Sequence, residues 1–211
     1  MTTTGNKWLR FDFIRRYSNL RDLGLSENEV IYESARLLLE PLVSSHAAEL
    51  YETLAAPEIF RFIPQERPSS LASLVERCQR LESRQSADGN EVWLNWVVRL
   101  GSSKECVGRV QATIHPDRSA SIGYEFGVSF WGQGYGTESV ERMIRALFED
   151  FGVHEVRAEV DTRNLGSMAL LEHLNFDRGE LRKDADFFKG EPSDEFTYTL
   201  TRTRFRSRAV E

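Results

Sequence analysis

Ser121 to Asp150, SIGYEFGVSFWGQGYGTESVERMIRALFED, changes its hydrophobic period midway, and that change decides the reading of the chain. From Ser121 to Val128, Ile122, Tyr124, Phe126 and Val128 fall on one face and Ser121, Gly123, Glu125 and Gly127 on the other, which is the spacing of a strand. Gly132, Gly134 and Gly136 follow. From Thr137 the apolar residues Val140, Ile144, Leu147, Phe148 and Phe151 recur at three- and four-residue steps, with Glu138–Arg142 and Glu141–Arg145 four apart on the polar side. That pattern predicts a helix.

The first amides of a helix have no partner within it and carry the positive end of its dipole, so glycines there let phosphate oxygens approach the backbone. The expected ligand carries phosphate. No Lys-Ser or Lys-Thr follows Gly136, and the spacing is G-x-G-x-G rather than G-x-G-x-x-G, so neither the triphosphate loop nor the dinucleotide fingerprint fits. A tight turn with packing glycines is the alternative for this stretch taken alone.

A chain of 211 residues, 40% hydrophobic and 28% charged, has the size and composition of one domain with a substantial core. Its net charge of −6 supplies no field for nucleic acid or an anionic membrane. No apolar run approaches the length of a membrane span, and a cytoplasmic protein is expected. Cys78 and Cys106 lack metal or disulfide-framework spacing and read as buried or incidental thiols. His46, His115, His154 and His173 are scattered, without metal-ligand grouping.

Outward from the central stretch, residues 1–34 read as an extension that packs on the main domain, with a dimer arm or a lid as the functional alternative; a homodimer is compatible with it. ARLLLEPLV from Ala35 reads as a strand ending at Pro41, and Ser45 to Ala55 as a helix capped by Ser44 or Ser45 with Ala48, Tyr51 and Ala55 on its apolar side. The proline-flanked loop Ile59 to Pro68 carries Phe60, Phe62 and Ile63 as core plugs or as one wall of an acceptor pocket. Ser70 opens a helix with a stripe of Leu71, Leu74, Val75, Cys78 and Leu81. Trp93–Leu100 and Glu105–His115 form a hairpin, so three consecutive antiparallel strands precede the glycine loop. After the loop helix come a strand over Glu155–Asp161, a short helix over Ser167–Leu174 and a last strand over Phe196–Thr201. The acidic residues Asp184, Asp186, Glu191, Asp194 and Glu195 read as a solvated loop, with attraction of a cationic amine as the functional alternative, Tyr198 and Phe187 as core or cleft wall, and residues 204–211 as a basic, frayed tail.

Two separated motifs in register, IGYEFGVSFWGQGYGTES and DTRNLGSMALLEHLNF, resemble the Gcn5-related N-acetyltransferase superfamily. ARLLLEPL, GYE before WGQGYGTE, and N-x-x-S before a leucine-rich helix are similar to its ribosomal-protein N-terminal acetyltransferase branch, of RimJ/RimL type. The likeness covers Ala35 to Thr203.

The resemblance implies an α/β (α+β) fold: a mixed, mostly antiparallel twisted sheet, flanked by helices and split at its centre to hold acetyl-coenzyme A. By the same analogy the amides of Gln133, Gly134, Tyr135, Gly136 and Thr137 hold the pyrophosphate, and the backbone of Phe126, Gly127 and Val128 pairs with the pantetheine arm. Asn164 and Ser167 approach the thioester end; a helix cap is the alternative for Asn164, and the two roles are compatible. An amine acceptor, a small molecule or a peptide, then attacks the thioester directly. Glu125 is the candidate base, with partial burial raising its pKa; the alternative is a solvent-facing strand glutamate. Leu171 stands where many members have a tyrosine that protonates the leaving thiolate, and Ser167 is the available hydroxyl. Trp131 stands where Arg or Gln is common, and Asn175 where Gly is, which requires Asn175 to take the left-handed turn. A non-catalytic acyl-coenzyme A-binding module is the rival reading; a nicotinamide-dependent Rossmann enzyme is disfavoured by the antiparallel strands before the loop.

Overall fold

The structure, a computed structural model, describes residues 30–208. The expected docking of the extension concerns mostly residues 1–29 and lies outside the described residues. Eight strands, β1 (Tyr32–Glu33), β2 (Leu37–Pro41), β3 (Val92–Leu100), β4 (Cys106–Ile114), β5 (Ser119–Phe126), β6 (Glu155–Asp161), β7 (Asp177–Phe188) and β8 (Glu191–Thr201), form one sheet in the order β1-β2-β3-β4-β5-β6-β8-β7. Among the described residues only β5 and β6 run parallel. The helices are α1 (Ala47–Thr53), α2 (Leu71–Leu81), α3 (Tyr135–Glu149), α4 (Leu165–His173) and α5 (Arg202–Arg208). Among the described residues no helix is long and apolar enough to cross a membrane.

Strand alternation sorts the core into two layers. Val97, Arg109 and Glu125 are cross-strand neighbours on β3, β4 and β5, and Val97 packs with Leu50, Leu54, Leu74 and Cys78 of the α1–α2 layer. The opposite face meets α3, which buries Val140, Met143, Ile144 and Leu147. Both cysteines are buried free thiols, as expected.

Several elements depart from expectation. A 3-10 turn at Ser44–His46 precedes α1 and shifts its phase, so Ala47, Leu50 and Leu54 face the core while Ala48 is exposed. Neither Ser44 nor Ser45 caps α1: its N-cap is His46, Val43 is the N-cap of the 3-10 turn, and the Ser44 amide donates to the Glu82 carboxylate. Ser70 does cap α2, its hydroxyl accepting from the Ser73 amide at 3.1 Å. The acidic stretch expected as a solvated loop is the β7–β8 hairpin, and among the described residues two of its five acidic residues are in ion pairs: Glu191 with Arg163 at 2.9 Å, and Glu195 with Arg182 at 3.0 Å, which also bridges Glu159 of β6. The chain end is not a frayed tail throughout, because α5 buries Phe205 against Phe148, ring centroids 5.4 Å apart. β1, within the stretch read as extension, already pairs with β2.

The site is positioned by the way β5 leaves β6. The two pair only over Ser119–Ser121 with Glu155–Arg157, after which β5 continues along β4 to Phe126 and β6 along β8 to Asp161. A wedge opens between them, bounded by the start of α3 on one side and of α4 on the other.

Candidate active site

At the mouth of the wedge the chain makes a 3-10 turn at Val128–Phe130 and then passes two left-handed glycines, Gly132 (φ 71°) and Gly134 (φ 79°), before α3. Gly134 is the N-cap and supplies no side-chain hydrogen bond to the first amides of α3. A fifteen-residue helix thus starts with its leading N–H groups uncapped by a side chain and with no Cβ at its cap. This cradle fits a phosphate-bearing ligand.

An acidic residue in that first turn, Glu138, works against an anion, and the structure answers it with Arg36. The Arg36 guanidinium donates to Glu138 at 2.7 Å through Nε and to the Gln133 carbonyl at 3.1 Å through Nη1, and lies 4.6 Å from the Tyr135 ring centroid. The Arg36 amide and the Ser34 hydroxyl also donate to Glu138, at 2.7 and 2.8 Å. Burial pushes the Glu138 carboxyl up, but these hydrogen bonds and the Arg36 charge prevail and hold it below its ordinary value. Sequence reading missed Arg36, which lies 102 residues from Glu138. Arg36→Ala is expected to weaken acetyl-coenzyme A binding about tenfold, roughly 1.4 kcal/mol, by releasing Gln133 and unmasking Glu138; calorimetric titration of the donor checks it, and unchanged affinity would refute the role.

The segment expected to run beside a pantetheine arm is partly committed to its own turn. The Trp131 indole donates to the Phe126 carbonyl at 2.8 Å, the Gly127 amide donates to the Val107 carbonyl at 3.0 Å, and the Gly127 and Val128 carbonyls accept from Phe130 and Trp131. Trp131 therefore shapes the strand exit from the position where Arg or Gln is common. Phe126 is buried; Val128, past the strand end, is 40% exposed.

Across the wedge, Asn164 caps α4 by accepting from the Ser167 amide at 3.1 Å. The Ser167 hydroxyl lies 2.7 Å from the Tyr124 hydroxyl of β5. Leu171 is fully buried, so the face of α4 where a tyrosine was absent from the sequence points into the core. Asn175 takes the left-handed turn after α4 as expected, with φ 67°.

On the other face of β5, Glu125 forms a buried two-point pair with Arg109: Nε to Oε2 is 2.7 Å and Nη2 to Oε1 is 2.9 Å. This corrects the expectation that burial raises the Glu125 pKa. Burial does push it up, but the Arg109 charge and hydrogen bonds, with Arg77 behind, prevail and hold the carboxyl below its ordinary value. The pair forms the floor of a narrow cleft walled by Leu50, Tyr51, Phe60 and Leu74, with an open volume of about 10 Å³, room for about one water. Phe60 of the proline-flanked loop is thus both buried and a cleft wall. The loop is fastened from the hairpin at the β7 edge of the sheet, where Lys189, at the β7–β8 turn, donates to the Phe60 carbonyl and to the Ile63 carbonyl at 2.9 Å. Tyr198 is fully buried and donates to Glu172 at 3.0 Å, so it is a core residue, whereas Phe187 is 68% exposed.

The site residues therefore sort into three places: the glycine loop, the wedge between β5 and α4, and the Glu125 cleft. Residues 36–177 match the family described as acetyltransferase (GNAT) domain. A Bacillus subtilis (strain 168) protein described as uncharacterized N-acetyltransferase YoaA is 23% identical over 176 residues, covering 82% of this chain and 98% of its own. Among solved structures, Mycobacterium smegmatis RimJ in complex with CoA-disulfide has a TM-score of 0.72 at 23% identity, over 82% of this chain and 88% of that one. RimL, a ribosomal L7/L12 alpha-N-protein acetyltransferase in complex with coenzyme A, has a TM-score of 0.72 at 19% identity, over 82% and 98%. With the family match spanning more than half of its length, the chain belongs to the acetyltransferase (GNAT) domain family and is an N-acetyltransferase that uses acetyl-coenzyme A.

Proposed function

We propose that the protein transfers the acetyl group to a primary amine by direct attack, with donor and acceptor bound together. The observation that carries this reading is the two-sided strand β5: the Glu125 cleft opens on one face and the Ser167–Tyr124 pair lies on the other, beside the wedge. In this reading the amides from Gln133 to Thr137 hold the pyrophosphate, and Phe126 to Val128 flank the pantetheine. Asn164 sets the start of α4 so that Ser167 faces the thioester. Bringing amine and thioester together supplies most of the rate.

Glu125 takes a narrower role than a raised-pKa base. Two of its acceptor sites are held by Arg109, and a carboxylate has about four; the remainder are available to the amine, or to a water that carries its proton away. A protein N-terminus is the favoured acceptor, supported by the likeness to RimL and RimJ, with a small-molecule amine as the alternative.

The test is release of coenzyme A from acetyl-coenzyme A against peptides of varied N-termini, amino acids, polyamines and aminoglycosides. Turnover with peptides is expected, and Glu125→Gln is expected to lower kcat/KM about a hundredfold while leaving donor affinity intact. Because Glu125 is held ionised, the rate should rise with pH along the acceptor amine's own titration, with no inflection from Glu125 between about pH 5 and 8. Donor binding without any turnover would favour an acyl-coenzyme A-binding module; absence of donor binding would refute the glycine-loop assignment.

A further inference from the structure

Tyr124 reaches across the wedge to Ser167, a candidate thioester-side group, and the acyl-transfer reading so far gives its hydroxyl no chemical role. It lies three residues past the last β5–β6 pair, and Ser167 lies in the first turn of α4, 43 residues along the chain. Their 2.7 Å contact therefore spans the opening in which a thioester would sit. The Tyr124 ring is held by the strand and by Phe126, ring centroids 6.4 Å apart.

Attack by the amine forms the new C–N bond and breaks the C–S bond, whose electron pair stays on sulfur. The amine's surplus proton leaves through the Glu125 cleft, and the sulfur is protonated by solvent on release. Between those events a negative charge sits on sulfur and needs a donor aimed at it in advance. A serine hydroxyl has one hydrogen and two acceptor sites, so its direction is undetermined unless a neighbour occupies an acceptor site.

We propose that Tyr124 is a positioning residue for the leaving group, donating its hydroxyl hydrogen to Ser167 Oγ so that the single Ser167 hydrogen is left to point at the departing sulfur. The inference rests on the acetyl-transfer reading and adds a residue to it. Burial, the main influence, pushes the Tyr124 hydroxyl up to about 12, so it stays a donor across the alkaline range in which thiols lose their proton, which begins near about 8.5 for cysteine. Donation to a thiolate is charge-assisted and stronger than donation to a neutral thiol, so the pair favours the charged sulfur selectively.

The experiment compares wild type, Tyr124→Phe, Ser167→Ala and the double variant in two measurements. Calorimetric binding of coenzyme A at pH 7 and pH 9.5, with desulfo-coenzyme A as the reference, reads the thiolate preference without turnover. Wild type is expected to bind coenzyme A about tenfold tighter at the higher pH relative to the reference, and Tyr124→Phe to lose most of that gain. In steady state Tyr124→Phe is expected to lower kcat about tenfold with both KM values unchanged, and to have under about a twofold effect once Ser167 is alanine.

If wild type turns over but its coenzyme A affinity shows no pH gain, or if Tyr124→Phe keeps the gain, the positioning role is wrong while the acetyltransferase reading stands. Full additivity of the two substitutions in kcat would likewise overturn it. If wild type fails to bind coenzyme A, both readings fall together. Ser167→Ala reaches the same contact from α4, so a folding defect in Tyr124→Phe would not remove the thiolate test.

Discussion

Arg109→Met is expected to destabilise the protein by about 3–5 kcal/mol, because it leaves the Glu125 carboxylate buried, 8% exposed, without its two-point partner. The loss should depend on pH in a defined sense. In the wild type Glu125 is held below its unfolded value, so its pairing contributes stability that is fully present above about pH 4.3 and fades as pH falls through the folded value. In the variant the guanidinium is gone and burial pushes the carboxyl above that unfolded value, so the penalty is largest at neutral pH and shrinks towards pH 4 as Glu125 takes a proton. Urea denaturation of both proteins at pH 7 and pH 4.5 checks this: a gap that stays constant across the two would show that lost packing, not the stranded charge, is responsible. Pairing Arg109→Met with Glu125→Leu should recover most of the neutral-pH stability, since removing both partners removes the unpaired charge.

Gly108→Ala should be more damaging than its size implies. A Cβ at Gly108 would stand 2.2 Å from the Glu125 carbonyl oxygen and 2.8 Å from the Phe126 Cα, both backbone atoms of β5. Neither yields without moving the strand. The expected cost exceeds about 3 kcal/mol, and since the strand that shifts carries Glu125 and Tyr124, any folded fraction should lose about a hundredfold in kcat. Gly123→Ala is the comparison, because there the new methyl meets only the flexible Gln111 side chain, nearest atom 3.0 Å away. It should cost under about 1 kcal/mol. Equal stabilities for the two variants would mean that β4 and β5 do not cross so closely at Gly108.

The strand, glycine loop and helix were legible because each element carries its own period and lies within thirty residues. β7 was not legible, because two irregularities in its pairing with β8, between Arg178 and Leu181 and between Arg182 and Asp186, break the alternation by which a strand is recognised. Most of β7 is exposed, so no apolar face marks it. The phase of α1 was misread for a related reason: its preceding 3-10 turn advances three residues per turn rather than 3.6 and displaces the buried stripe.

At the site, local chemistry was readable and its long-range partners were not. Asn164 as cap of α4 and Asn175 in a left-handed turn follow from their immediate neighbours. The sign of the Glu125 shift depends on Arg109, sixteen residues away on the adjacent strand. Arg109 occupies a polar position of the expected hairpin, so pairing β4 with β5 residue by residue before judging the carboxylate would have brought the two together. No comparable route led to Arg36, whose link to Glu138 joins distant segments through a side chain rather than a ladder.

The fastening of the cleft wall by Lys189 divides labour within the protein. The glycine loop, the wedge and α3 belong to the middle of the chain, whereas one wall of the Glu125 cleft is secured by the turn of the last hairpin. Under the proposed reading, changes in the length or charge of that turn would re-shape the acceptor side while leaving the donor side as it is. If the cleft holds the amine as proposed, selection has a handle on which amine is modified that does not endanger recognition of the shared metabolite.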